Sequence, residues 1–543
     1  MVSFISKKLT LFLNSSFLFL FIFYVTISYL LHQPHTTTHR SLPVRVPVQG
    51  NDCTGLHDHT DSKFKCIFIK SNSGCRPKGY INYLQIFYCT FGKFPVLGYV
   101  MLSAWLAVLF YLLGNTAAEY FCSSLENLSN ILNLSPAIAG VTLLSLGNGA
   151  PDVFASIVSF TSSKNGDFGL NSILGGAFFV SSAVVGVISI IMSPRDVSID
   201  KCSFIRDVFF FLFSLFTLVL IISVGKITLW ASICFLSVYL FYVCVVCFMH
   251  FLSTREHKLN PLDVEELGIS LLGYVDDEHP VFVAKSATLC SILELPLYLP
   301  RRLTIPVVSE DKWSKTYAVA SVTLAPILLA ALFDSGGSKT CLITYGTAGF
   351  IGISLGSVAL LTTKKCSPPK SCLCLWLGGG FLMSVTWTYI IAEELVSLLV
   401  SIGYVFGIDP SVLGLTVLAW GNSVGDLIAN VAMAVNGGGD GAQVAISGCY
   451  AVPMFNTLLG LGISFVITSW SNYPYPYVIP YDPSLFESLG FLIGGLLWAL
   501  VVLPRNNMRL DRVLGFGLLA IYLCFLSLRL AKALGLFKLH SWA

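Results

Sequence analysis

Residues 144–157 read LSLGNGAPDVFASI, and residues 418–431 read LAWGNSVGDLIANV. Each stretch lies in an apolar run long enough to cross a bilayer, yet each carries Gly-Asn and, four residues after the Asn, an Asp. The likeness extends outward. LSPAIAGVTLLSLGNGAPDVFA (134–155) aligns without a gap on IDPSVLGLTVLAWGNSVGDLIA (408–429) at an offset of 274. Pro136 matches Pro410, Gly140 matches Gly414, Thr142 matches Thr416, Asn148 matches Asn422 and Asp152 matches Asp426. One span upstream, Ala118-Glu119 matches Ala392-Glu393 at the same offset. The chain carries an internal repeat whose shared features are polar residues at membrane depth.

The surrounding composition is that of a polytopic membrane protein. Of 543 residues, 55% are hydrophobic and only 11% charged, against about 25% charged in a soluble domain. Mean hydropathy is +0.77. A net charge of +3 gives no reason to expect a nucleic-acid partner; the expected partners are the lipid bilayer and inorganic cations, and the oligomeric state is left open. A span needs about 20 apolar residues. Candidates are 9–31, 95–117, 135–160, 168–192, 206–224, 227–249, 315–333, 341–362, 374–402, 409–435, 443–469, 484–503 and 513–533. The fold class expected is an all-α polytopic membrane protein with 12–13 transmembrane helices. Its parts are a signal peptide or signal-anchor (1–31), a Cys-containing lumenal or extracellular loop (32–93), a first membrane repeat (94–249, motif 134–160), a cytosolic loop (250–314), two additional spans (315–362) and a second membrane repeat (374–533, motif 408–434).

With a cytosolic N-terminus, the short cytosolic connections carry Arg195, Lys201, Arg206, Lys364, Lys365, Lys370, Arg505, Arg509 and Arg512, against Lys164, Lys226 and Lys339 on the other side. That bias obeys the positive-inside rule. It puts Cys53, Cys66, Cys75 and Cys89 in an oxidising compartment where disulfides form, with the pairing open. Plasma membrane and endomembranes (vacuole, endoplasmic reticulum) both fit. The third and tenth spans hold the two motifs, so the copies run oppositely through the bilayer. Inverted repeats with interrupted helices point to a secondary transporter whose site lies at the midplane and whose halves rock about it.

Gly147, Gly149, Pro151, Gly421 and Gly425 are read as helix breakers that free backbone carbonyls toward a cavity. Asn148, Asp152, Asn422 and Asp426 are the candidate cation ligands, since carboxylate and amide oxygens suit hard cations. Each midplane carboxylate costs about 2.5–3.5 kcal/mol on insertion scales, and a bound cation offsets that cost. Secondary candidates are Gly149, Ser423, Thr142, Thr416, Asn456, Ser172 and Ser447. The Thr pair has an alternative, bonding its own i−4 carbonyl. Glu119 and Glu393 are candidates for gating or proton relay. No resident cofactor is expected; the transported cations considered are calcium, sodium, potassium, manganese and protons. A channel and an intramembrane aspartyl protease are the competing classes. The protease signature GxGD lacks its first Gly, since SVG precedes Asp426.

At GNGAPD (147–152) and GNSVGD (421–426) the chain resembles the calcium/cation antiporter superfamily, most closely its cation/calcium exchanger branch. The resemblance covers roughly 95–249 and 374–533. It implies two inverted five-helix repeats, Asp152 and Asp426 as central ligands flanked by Asn148 and Asn422, and exchange of calcium against sodium, potassium or protons by alternating access, with proton-coupled potassium or sodium transport as the alternative. The chain departs from sodium/calcium exchangers in having Asp152, Asn148 and Gly149 where those usually place Glu, Thr and Ser. Where the family carries a GSNIFN-like turn, this chain reads GGAFFV (175–180) and AVPMFN (451–456). Asn456 alone keeps an amide there, and Ser172 and Ser447 are candidates to compensate.

Overall fold

The computed structural model describes residues 53, 56, 62–72, 75, 79–122, 124, 145–162, 167–195, 197–257, 298–308, 313–333, 338–365, 368–369, 373–407, 410–436, 438–479 and 482–533. The first candidate span, Thr142, and most of the 250–314 loop lie outside these residues.

The helices in chain order are α1 (Ser62–Ser71), α2 (Pro95–Thr116), α3 (Ser145–Ser162), α4 (Asp167–Phe178), α5 (Val185–Met192), α6 (Lys201–Val224), α7 (Leu229–His257), α8 (Lys315–Phe333), α9 (Ser338–Thr362), α10 (Leu373–Phe406), α11 (Pro410–Leu413), α12 (Ala419–Asn436), α13 (Gly438–Phe455), α14 (Gly462–Ser471), α15 (Pro483–Arg505) and α16 (Arg512–Ala533). π-Helical turns prolong α2 (Ala117–Cys122) and join α4 to α5 (Phe179–Val184), α11 to α12 (Gly414–Leu418) and α13 to α14 (Asn456–Leu461). Each candidate span from residue 95 onward overlaps at least one of these helices; among the described residues ten helices are long and apolar enough to cross a membrane, against the 12–13 expected, and the motif helices α3 and α12 fall outside that set. Boundaries shift where polar chemistry extends a helix. Asp200 caps α6 by accepting from the Ser203 N–H at 2.8 Å, so α6 starts five residues before the apolar run. α7 continues past it into charged sequence.

The chain divides into two units. One holds residues 269–387, where α8 and α9 form a hairpin. Gly352 and Gly356 of α9 lie against the backbone and hydroxyl of Thr323 so closely that neither position has room for a side chain. Small residues of this kind let membrane helices approach. Lys315 Nζ donates to the Thr363 carbonyl at 2.8 Å and ties the hairpin's open end.

The other unit holds 50–268 and 388–543 and contains both motifs. α3 and α12 are each 18 residues long at the repeat offset of 274. The next π turns, Phe179–Val184 and Asn456–Leu461, match at an offset of 277. Three further residues therefore enter the second copy between motif and turn. Phe179 is the counterpart of Asn456, whereas the alignment of GGAFFV on AVPMFN puts Val180 there.

The inversion is visible in the connections. The α5–α6 connection of the first copy pairs with the α15–α16 connection of the second: Ser198 bridges Arg509, and Ile199 N–H donates to the Met508 carbonyl at 2.8 Å. The α6–α7 connection pairs with the α14–α15 connection as a two-stranded antiparallel sheet, β1 (Lys226–Ile227) on β2 (Tyr477–Val478). Successive connections lie on opposite membrane faces. Unlike connections meeting crosswise therefore means that the copies are upside down relative to each other. It also places Arg195, Lys201, Arg505, Arg509 and Arg512 on one face, as the charge bias requires.

α4–α5 and α13–α14 are the most enclosed spans, while α2, α6, α7, α15 and α16 keep apolar surface outward. Aromatic contacts lock the core: Phe160 on Phe465 at 5.5 Å between centroids, Phe178 on Phe525 at 5.0 Å and Tyr239 on Phe455 at 5.2 Å. Each edge-on pair adds about 0.5–1.5 kcal/mol beyond its burial. In the loop before α2, disulfides join Cys53 to Cys75 and Cys66 to Cys89. The four cysteines close two interleaved loops over α1, each worth roughly 3 kcal/mol by the chain-entropy rule.

Candidate functional site

Asp152 sits midway along α3 and is 5% exposed. Its two oxygens are taken by amides from the other copy. Asn422 Nδ2 on α12 donates to Oδ1 at 2.9 Å, and Asn456 Nδ2, at the first position of the π turn after α13, donates to Oδ2 at 2.8 Å. Among the described residues no cation pairs with Asp152 or Asp426. Asp426 is half-buried on α12 and close enough to Asp152 for the two charges to interact.

The remaining oxygens here have nothing to bond. Asn422 Oδ1, Asn456 Oδ1 and Ser423 Oγ are buried without a hydrogen-bond partner. Leaving a buried polar atom unsatisfied costs about 1–3 kcal/mol, so three beside two carboxylates require an explanation. Gly176 faces the same space: a side chain there would begin 3.5 Å from both Asp152 Oδ2 and Ser423 Oγ. Asp152 Oδ2 and Ser423 Oγ thus border a space that a side chain at position 176 would enter. Among the described residues no group of three or more His, Cys, Asp or Glu forms. Two carboxylates with neutral oxygens are a donor set suited to a hard cation.

The glycines and proline do not break the helices. α3 runs unbroken through Gly147, Gly149 and Pro151, and α12 through Gly421 and Gly425. Pro151 removes one ladder bond, because it has no N–H for the Gly147 carbonyl, but packing holds the helix. The glycines act through their missing side chains instead. Gly149 lies against Asn456 Oδ1 and the Phe455 ring, and Gly421 against the Phe110 ring, with no room for a Cβ in either place. The backbone irregularity falls in the π turns, a feature common at functional sites.

Other sequence candidates have different placements. Asn148 lies in α3. Thr416 bonds the Val412 carbonyl at 2.7 Å, its own i−4 partner. Ser172 Oγ is buried without a partner. Ser447 accepts from Gln443 Nε2 at 3.2 Å. Glu119 is exposed in the π turn after α2, and Glu393 is half-buried and hydrogen-bonds the Tyr80 side chain.

The neighbour Glu394 escaped the sequence reading. It is buried and accepts from the backbone N–H groups of Tyr80 and Ile81 and from Tyr83 Oη, the last at 2.6 Å. Trp105 Nε1 donates to Tyr83 Oη at 3.0 Å. Glu394 thereby docks the disulfide-bearing loop onto α10. The doubled acid in an otherwise apolar span was the available signal.

Comparison with known proteins agrees with this architecture. Residues 102–248 and 376–531 match the family described as sodium/calcium exchanger protein. The chain is 54% identical to cation/calcium exchanger 1 of Arabidopsis thaliana, over 98% of this chain and 97% of that one. It is 50% identical to cation/calcium exchanger 2 of the same plant, over 90% and 92%. It is 30% identical to the mitochondrial sodium/calcium exchanger protein of Homo sapiens, over 88% and 89%.

Proposed function

The chain belongs to the sodium/calcium exchanger family, and from that premise we propose that Asp152 and Asp426, with Asn422, Asn456 and Ser423, form the cargo site of a calcium antiporter. The protein is an integral multi-pass membrane protein and a cation/calcium exchanger, a transporter rather than an enzyme. The observation that supports the site assignment is the set of buried, unpartnered oxygens on Asn422 and Asn456, which bond Asp152 through their amide nitrogens, and on Ser423 beside it.

The chemistry of exchange follows from charge. Two carboxylates at membrane depth carry two negative charges that repel each other and are costly to leave bare. One calcium ion neutralises both; so do two sodium ions, two potassium ions or two protons. Each load can replace another without exposing the naked pair. On loading, the Asn422 and Asn456 amides turn so that Oδ1 rather than Nδ2 faces the site. Sodium, potassium or protons as the exchanged load is the finer part of the proposal, with manganese as another cargo. The protease reading draws no support from the site, where two amides bond both oxygens of Asp152.

The test is calcium tracer uptake into proteoliposomes loaded in turn with sodium, potassium, or a pH step. Uptake driven by one trans cation identifies the partner ion. Uptake indifferent to every trans cation rules out exchange.

A further inference from the structure

The surroundings of the site differ in burial between matching positions of the two copies. Asn422, Asp426, Asn430 and Met433 lie on one face of α12 and are half-buried. On α13, Gln443, Val444, Ser447 and Gly448 are half-buried too. Polar groups lie along these half-buried faces. Asn430 Nδ2 donates to the Asp426 carbonyl at 2.8 Å, which leaves its Oδ1 turned to Gly448, where a side chain would begin 3.4 Å away. One turn further along, Gln443 Nε2 donates to Ser447 Oγ at 3.2 Å. Gln443 Oε1 accepts the Asp200 N–H at 2.6 Å, and Asp200 borders the α5–α6 connection at the basic face.

The equivalent positions in the first copy are sealed. Asn430 corresponds to Ser156 at the motif offset, and Ser447 to Leu170 at the turn offset. Ser156 is fully buried and shares a hydrogen bond of 3.3 Å with Ser464. Leu170 is fully buried, and Phe160, one turn beyond Ser156, packs edge-on against Phe465.

We propose that Asn430, Ser447 and Gln443 line the route by which cations pass between the Asp152–Asp426 site and the membrane face bearing Arg195, Asp200 and Arg509, and that this structure is the conformation open to that face. The inference rests on the ion-site reading above. Asn430 Oδ1, Ser447 Oγ and Gln443 Oε1 offer a file of neutral oxygens, so a cation leaving Asp426 exchanges protein oxygens for water in steps. None of the three bears a charge that would hold it.

The route is tested in sealed vesicles of known sidedness with a membrane-impermeant thiol reagent. Single variants Ser447→Cys, Gln443→Cys and Ser156→Cys are compared, and modification is read by peptide-resolved mass spectrometry so that native cysteines do not interfere. Ser198→Cys, in the exposed α5–α6 connection, marks the face. The expected result is labelling of positions 443 and 447 from the face that labels 198, at least tenfold faster than position 156 from either face. Labelling of 447 only from the opposite face, or not at all while 198 reacts, overturns the route. Calcium uptake by the unmodified protein is measured alongside. If labelling follows the expected pattern but no calcium moves, the ion-site reading falls and the proposed cargo with it; if calcium moves but 447 stays dark, the route alone falls.

Discussion

The two copies share a fold and divide the labour of the site. The first supplies the enclosed carboxylate, Asp152; the second supplies both amides bonded to it and the unpartnered Ser423 hydroxyl. At the start of matching π turns the first copy has Phe179 and the second has Asn456. A perfectly duplicated site would offer the same oxygens from both halves. Here duplication sets where the groups stand, and among the described side chains the neutral groups bonded to Asp152, and the Ser423 hydroxyl beside it, come from the second copy.

The largest expected effect tests what the copies still share. Asp152→Asn and Asp426→Asn should each lower calcium transport at least a hundredfold while the detergent-solubilised protein keeps its elution profile and melting temperature. If one variant retains full transport, its aspartate is no ligand and the shared pair dissolves.

Next comes the position where the copies differ. Asn456→Ala removes the amide oxygen that turns toward the cation on loading. It should weaken calcium affinity by roughly ten- to a hundredfold. Phe179→Ala should change it less than threefold. Equal losses would mean that the two turns serve the site alike.

How much of this was legible in the sequence depends on what each residue does. Asp152, Asn422 and Asp426 stood out because polar residues at membrane depth are costly, and their recurrence at one offset identified the repeat. Asn456 was visible as an amide but not as a direct partner of Asp152. Its register depends on three residues inserted outside the gapless match. The glycines were misjudged for a physical reason. Propensity treats Gly as a helix weakener worth about 1 kcal/mol, whereas in a packed bundle its value is the space it leaves. Cys53, Cys66, Cys75 and Cys89 suggested disulfides but not their pairing, which the fold decides. Asn430 and Gln443 carry no signal at all until the packing of α12 against α13 is seen.

Two glycines sharpen the comparison at intermediate size. Gly149→Ala drives a methyl group into Asn456 Oδ1 and should cut the transport rate about tenfold, the loss of one ligand's positioning at roughly 1.4 kcal/mol. Gly176→Ala meets only ordinary contacts of 3.5 Å and beyond. It should fold normally and change the preference between calcium and sodium by a few-fold, measured by competition. A dead Gly176→Ala beside an active Gly149→Ala would reverse the assignment of which glycine borders the free volume.

The smallest effect concerns a feature the copies kept. Asp200 caps α6, and Asp482 caps its counterpart α15 by accepting from the Ser484 N–H at 2.8 Å. Alanine at either should cost about 1 kcal/mol of stability. Thermal unfolding should give similar shifts for the two, with transport rates preserved.

The crosswise contacts between connections constrain what can move. Ser198 is laced to Arg509 at one rim, and Lys226–Ile227 to Tyr477–Val478 at the other. A clamshell swing of one whole copy against the other, the motion the inverted repeat first suggests, would have to unpick a seam each time it opened. Helices α6, α7, α15 and α16 are better regarded as a fixed girdle within which the inner spans shift. A disulfide engineered between positions 198 and 509 should leave transport running, and its arrest by that bond would restore the swing.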